Sequence, residues 1–161
     1  MVPHDVLGAH DIATSADMER LGRSIGSALA AGDVLVLTGP LGAGKTTLTR
    51  GIADGLGVRG PVQSPTFVIA RTHPSLTGGA PLVHADAYRL SDPAELEDLD
   101  LDLEASVTII EWGREAVSLI ADEWWDIEIE RPVGESDEDP ENLDLDAPRR
   151  VVIAHHAPSA P

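Results

Sequence analysis

Val34-Leu-Val-Leu-Thr-Gly39-Pro-Leu-Gly-Ala-Gly-Lys45-Thr46 decides the reading of this chain. Its apolar start reads as a buried strand, and from Gly39 onward it satisfies G-x-x-x-x-G-K-[ST], the phosphate-binding loop. The residues from Thr46 to Leu56 continue as a helix, so strand, loop and helix follow in the order that such a loop requires. Lys45 is the only lysine among the 11 basic residues. A chain that otherwise uses arginine keeps a lysine where a compact ammonium on a flexible stem must reach nucleotide phosphates.

The remainder of the sequence agrees with an α/β protein built around this loop. Its 161 residues suit a single domain, and 42% hydrophobic residues with only 3% aromatics predict a core of Val, Leu, Ile and Ala. The expected fold is a single three-layer P-loop domain over residues 1–154, with a mainly parallel central sheet and antiparallel strands at the C-terminal edge. Residues 132–148 form an acidic loop insertion in this reading, and residues 155–161 a flexible tail. No cysteine occurs, which excludes disulfides, thiol nucleophiles and cysteine-bound zinc. Neither a secretory leader nor an apolar run of membrane-spanning length is visible, so a cytoplasmic location with no membrane association is expected.

Charge narrows the function. The net charge is −17, and of 28 acidic residues seven fall in residues 92–104 and twelve in residues 122–146. Nucleic-acid binders cluster Lys and Arg, whereas the one basic pair here is Arg149-Arg150, so direct tight binding of RNA or DNA is disfavoured.

Periodicity places the remaining elements. Thr14 is an N-cap for a helix carrying Met18, Leu21, Ile25 and Leu29 at helical spacing, which stops at Ala31-Gly-Asp33. Strands are predicted at Val68-Ile-Ala-Arg-Thr72, Leu82-Val-His-Ala-Asp86, Val107-Thr-Ile-Ile-Glu111, residues 124–130 and residues 149–154. Helices are predicted after Asp92, with Pro93 in its first turn, and over residues 114–121.

The chemistry follows from the loop. Gly39, Leu41, Gly42, Ala43 and Gly44 form an anion cradle of backbone amides, Lys45 reaches the terminal phosphates, and Thr46 offers its hydroxyl to a magnesium ion. Thr47 contacts phosphate or caps the helix. In parallel sheets ligands collect beyond the carboxyl ends of the strands, where Asp86 and Glu111 each close an apolar strand. One is expected to hold the magnesium and the other to orient or deprotonate the attacking water; spacing leaves both assignments open. Thr66 is a candidate γ-phosphate sensor. His84 reads as a core histidine or as a support for its neighbours, Arg89 as a partner for an acid or a phosphate, with Arg71 and Arg114 as weaker candidates, and Trp112 as packing over the site. A single lysine committed to phosphate leaves none for the Asn-Lys-x-Asp element that reads guanine, so ATP is the expected nucleotide.

The ordered set Gly39-Pro-Leu-Gly-Ala-Gly-Lys-Thr-Thr47, Ser64-Pro-Thr-Phe67, His84-Ala-Asp-Ala-Tyr-Arg89 and Ile110-Glu-Trp112 resembles the TsaE (YjeE-type) family over about residues 14–131. The resemblance implies an ATPase needed for N6-threonylcarbamoyladenosine in tRNA, working with the TsaB and TsaD proteins, which would hold most of the tRNA. It also implies that Lys45 and Thr46 engage phosphate and magnesium, that Thr66 belongs to a switch segment, that Asp86 is needed for hydrolysis and that Glu111 contacts the metal. Thr14 would lie near the adenine. The acidic stretch at residues 134–148 departs from the compact pattern of the family. Two other readings share the loop. A small-molecule kinase would need an arginine-bearing lid that the scattered arginines do not supply, and a nucleotide-gated adaptor would bind ATP without turning it over. With no obvious arginine finger, hydrolysis is expected to be weak without partners.

Overall fold

The structure, a computed structural model, describes residues 7–40, 44–58, 70–89, 92, 94–95, 101–130 and 148–156. The strands are β1 (Gly8–Ile12), β2 (Val34–Thr38), β3 (Ala70–His73), β4 (Leu82–Asp86), β5 (Val107–Glu111), β6 (Trp124–Glu130) and β7 (Arg149–His156). The helices are α1 (Ser15–Ala28) and α2 (Lys45–Leu56), with 3-10 turns at Ala87–Arg89 and Val117–Leu119. The strands form one sheet in the order β1-β7-β6-β2-β5-β4-β3. Its four central strands β6, β2, β5 and β4 are parallel, β7 and β3 flank them antiparallel, and β1 pairs antiparallel with β7. The antiparallel C-terminal edge is as expected. A second antiparallel pair, β3 on β4, closes the opposite edge.

Side-chain alternation divides the core into two. Leu35, Leu37, Val107, Ile109, Ile127 and Leu82 face α1 and α2, where Met18, Ile25, Leu48 and Ile52 complete the larger cluster. Val34, Val36 and Ile110 face the other way, onto Ala116 and Val117, with Leu101, Leu103 and Ile120 packed around them. Among the described residues this third layer consists of turns rather than helices. The helix expected at residues 114–121 is one 3-10 turn. Its amides alternate between three- and four-residue spacing, with Leu119 N donating to Ala116 O and Ala121 N to Val117 O. The segment buries Ala116 and Val117 and packs Ile120 and Ala121 partly against the same cluster, a helical spacing that is realised over a single turn only, and Arg114 is held by Asp126 of β6.

The two helices meet through backbone. A Cβ at Gly22 or Gly26 would collide with the carbonyl oxygens of Leu48 or Ile52, and one at Gly51 or Gly55 with those of Glu19 or Arg23. Glycines four residues apart thus lie face to face on both helices, and no side chain separates them there. Thr14 caps α1 as predicted, accepting from the amide of Asp17 at 3.2 Å.

The last strand outruns its expected end at Ala154. His156 stacks on Trp124 with ring centroids 5.0 Å apart, and His155 on Trp125 at 4.8 Å, so both histidines assigned to a tail are part of β7. Strand β3 ends at His73, one residue late, and residues 68–69 of its predicted span lie outside the described residues. At the other predicted helix start, Asp92 accepts from the Ala94 amide at 2.9 Å, and residues 96–100 lie outside the described set. The acidic stretch likewise lies outside it, except for Pro148. Among the described residues no helix is long and apolar enough to cross a membrane.

Candidate functional site

The site forms where β2, β4 and β5 end together. Register pairs Leu37 with Glu111 and Asp86 with Glu111, so both acids project from the sheet face that carries the helices. After β2 and the glycine-rich residues 39–44 comes α2, whose N-cap is Gly44 at φ 110°, a left-handed conformation that glycine adopts without strain. Among the described residues no side chain caps this end of the helix. Its first amides therefore remain available to an anion, and the macrodipole adds to their attraction. Leu41, Gly42, Ala43 and Thr66 lie outside the described residues. Thr46 and Thr47 stand half-buried in the first turn of α2, and the N-cap position itself is taken by Gly44.

Lys45 is the hub of what is described. Its Nζ donates to the Gly39 carbonyl at 2.7 Å, lies 3.9 Å from Glu111 Oε1, and sits 4.3 Å from the centroid of the Trp112 ring. Burial pushes the ammonium below its usual pKa, while Glu111 and then Asp86 pull it back up. Desolvation therefore outweighs two nearby carboxylates. Trp112 amide donates to Leu37 O at 2.9 Å, and its ring meets Tyr88 with centroids 5.7 Å apart.

Glu111 is buried and accepts from His84 Nε2 at 2.9 Å. His84 is itself fully buried one register step back on β4, opposite Ile109. Asp86 is less enclosed, and its Oδ1 accepts from the Tyr88 amide at 3.0 Å. Arg114 does not approach the loop from this face. It places Nε and Nη2 on Asp126 at 2.9 and 2.8 Å and also reaches Glu128 at 3.1 Å, which raises its pKa through hydrogen bonding with Asp126. The side chain of Arg89 lies outside the described residues, and Arg71 is exposed on β3.

Thr14 also reaches the neighbourhood of the loop. It begins α1, and Met18 one turn later packs on Gly44, where a Cβ would stand 3.2 Å from the Met18 Cε. Beside it is a cavity of about 350 Å³ lined by residues 11–13, 130 and 148–150. Strand pairing of Thr38 with Glu128, Glu130 with Arg150 and Ile12 with Arg149 puts this cavity at the same end of the sheet as the loop. Sequence reasoning had not identified the cavity, because its walls come from three separate stretches of the chain.

A parallel strand, a glycine turn and a helix opening on lysine, with acids ending the two adjacent strands, define a protein of the P-loop class. The chain belongs to the TsaE family: the family model described as threonylcarbamoyl adenosine biosynthesis protein TsaE matches residues 12–138. Among relatives, the tRNA threonylcarbamoyladenosine biosynthesis protein TsaE of Streptomyces coelicolor is 57% identical over 122 residues, covering 74% of this chain and 82% of its own length. The protein of that name from Mycobacterium tuberculosis is 47% identical over 124 residues, covering 71% and 74%. The crystal structure of Bacillus subtilus YdiB superposes with a TM-score of 0.68 at 26% identity, over 92% of this chain and 84% of that one.

Proposed function

We propose that this chain binds Mg-ATP and hydrolyses it as the nucleotide-driven subunit of tRNA threonylcarbamoyladenosine synthesis, acting in the cytoplasm on a complex of TsaB and TsaD. The observation that carries the reading is the Lys45 ammonium, held against its own desolvation at an uncapped helix start with Glu111 3.9 Å away.

The residues present fit both groups. For the nucleotide, the amides at the start of α2 and Lys45 suit the phosphates, and the cavity beside Thr14 falls within the range of small-ligand pockets and suits a base. For magnesium, the donors are hard oxygens: the Thr46 hydroxyl, with Glu111 or Asp86. When bound, the ion would spread the developing negative charge of phosphoryl transfer. Lys45 exchanges its Gly39 carbonyl and the Trp112 ring for phosphate oxygens. Glu111 faces the metal in this reading, and Asp86, more open and fixed by its turn with Tyr88, orients the attacking water. Thr66 senses the γ-phosphate from the segment after α2.

The acidic surface supports a division of labour in which partners hold the tRNA and this chain supplies a conformational step. ATP closes the subunit on its partners, and hydrolysis resets the complex between transfer cycles. The test is phosphate release from Mg-ATP with and without TsaB and TsaD, alongside tRNA modification by Lys45→Ala. Loss of repeated turnover with a single transfer spared is the expected result. Equal loss of both removes the reset role, and phosphate release that stays absent with partners present makes the chain an adaptor.

A further inference from the structure

We propose that His84 is the positioning residue for Glu111, setting which carboxylate oxygen is presented to the nucleotide site; this rests on the magnesium-nucleotide reading above. Strand β4 turns Leu82, His84 and Asp86 toward the helices. Leu82 joins the apolar core and Asp86 reaches the open end of the sheet, but His84 lies between them with no exposure at all. An imidazole at such a place has a cost unless its nitrogens are bonded. Among the described residues Nδ1 has no partner, so the whole compensation comes from Nε2 at 2.9 Å from Glu111 Oε2.

The carboxylate is equally dependent. Among the described residues two groups reach it, His84 at 2.9 Å on Oε2 and Lys45 at 3.9 Å on Oε1. In the proposed cycle Lys45 is drawn to phosphate, and Asp86, directly opposite in the register, repels rather than holds a second carboxylate. His84 then remains as the short contact. It pins Oε2 inside the sheet and leaves Oε1 turned toward the loop, in the way that an outer partner fixes a ligand's orientation and keeps the metal from having to pay for it. Sequence alone allowed a core histidine or a support for its neighbours at this position; the 2.9 Å contact assigns it a target.

The test uses the full chain with His84→Leu and His84→Gln, the amide nitrogen of Gln occupying the place of Nε2. Calorimetry measures ADP binding without metal and as a function of magnesium. His84→Leu is expected to raise the magnesium requirement about 10-fold or more, to leave metal-free ADP binding unchanged, and to be largely rescued by His84→Gln. An unchanged magnesium requirement overturns the proposal, as does a proportional loss of metal-free binding, which marks a merely structural role. A wild-type chain that binds ADP without regard to magnesium overturns the underlying reading instead. Independently of any nucleotide, histidine NMR should find the proton on His84 Nε2 and a shift of that resonance in Glu111→Gln. A proton only on Nδ1 overturns the proposal even if the variants fail to fold.

Discussion

Trp112 holds its ring 4.3 Å from the Lys45 ammonium from a backbone with φ of 57°, the one non-glycine residue with positive φ among those described. The left-handed turn follows directly on Glu111 and is anchored by the bond from the Trp112 amide to Leu37 O. A bulky residue in this conformation costs energy that the surrounding contacts must offset.

Replacement of Trp112 separates the backbone cost from the ring's contribution. Trp112→Gly and Trp112→Ala both remove the indole, but glycine accepts the turn and alanine does not. The glycine variant is expected to be more stable by about 1 kcal/mol. Urea denaturation of the two proteins measures the difference, and equal midpoints would show that the turn relaxes once the ring is gone.

The interface of α1 and α2 predicts a sharper effect. Gly22→Ala or Gly26→Ala adds a methyl group where the opposing helix presents backbone carbonyls that no rotamer change can move. Each is expected to cost at least about 2 kcal/mol, whereas Ser24→Ala on the exposed face of the same helix should stay within about 0.5 kcal/mol. Thermal melts of the three variants test the contrast.

Lys45 gives a pH dependence whose sign is determined. Its pKa in the nucleotide-free protein is lowered, so over the interval between that value and the unfolded one the folded state binds fewer protons. Stability of the free protein therefore rises with pH across that interval, which ends near the ordinary lysine value of 10.5. Under the proposed function, affinity for Mg-ADP is expected to move oppositely, because a deprotonated amine cannot neutralise phosphate. Calorimetric titrations should show affinity beginning to fall below pH 10.5; a flat profile up to that pH would contradict a desolvated ammonium.

Arg114 predicts a stability effect with no counterpart in nucleotide binding. Asp126 is nearly buried and depends on the two guanidinium bonds, while Arg114 itself is half exposed. Arg114→Met should destabilise by about 1–2 kcal/mol, less than for a wholly enclosed pair, and Asp126→Asn should recover part of the loss in the double variant. Mg-ADP affinity should be unchanged throughout, since this contact lies on the sheet face away from Lys45.

What could be read in advance was local. The strand before the loop, the helix after it, the Thr14 cap and the two acids closing apolar strands all announce themselves within a few residues, because alternation, capping and the loop motif are short-range signals. The bond from His84 to Glu111 spans 27 positions and exists only because β4 and β5 are neighbours in one register, which spacing along the chain does not encode. The glycines at 22, 26, 51 and 55 did leave a trace. Glycine inside a helix is unfavourable, and its repetition at a four-residue interval on two helices signals close approach. At residues 114–121 the apolar positions 116, 117, 120 and 121 do have helical spacing, whereas the hold of Asp126 on Arg114 comes from a strand 12 positions away and leaves no local signal. The end of β7 was misjudged because the stacking partners of His155 and His156 lie on β6.

The direct opposition of Asp86 and Glu111 carries a last implication for how the chain matures. Slipping β4 by a single position against β5 would turn Asp86 and His84 away from the helix face and bring Val83 and Ala85 there instead. A misaligned sheet would separate the facing acids and enclose the His84 imidazole without its bond to Glu111, so the cost of burying an unpaired ring favours the alignment that assembles the site.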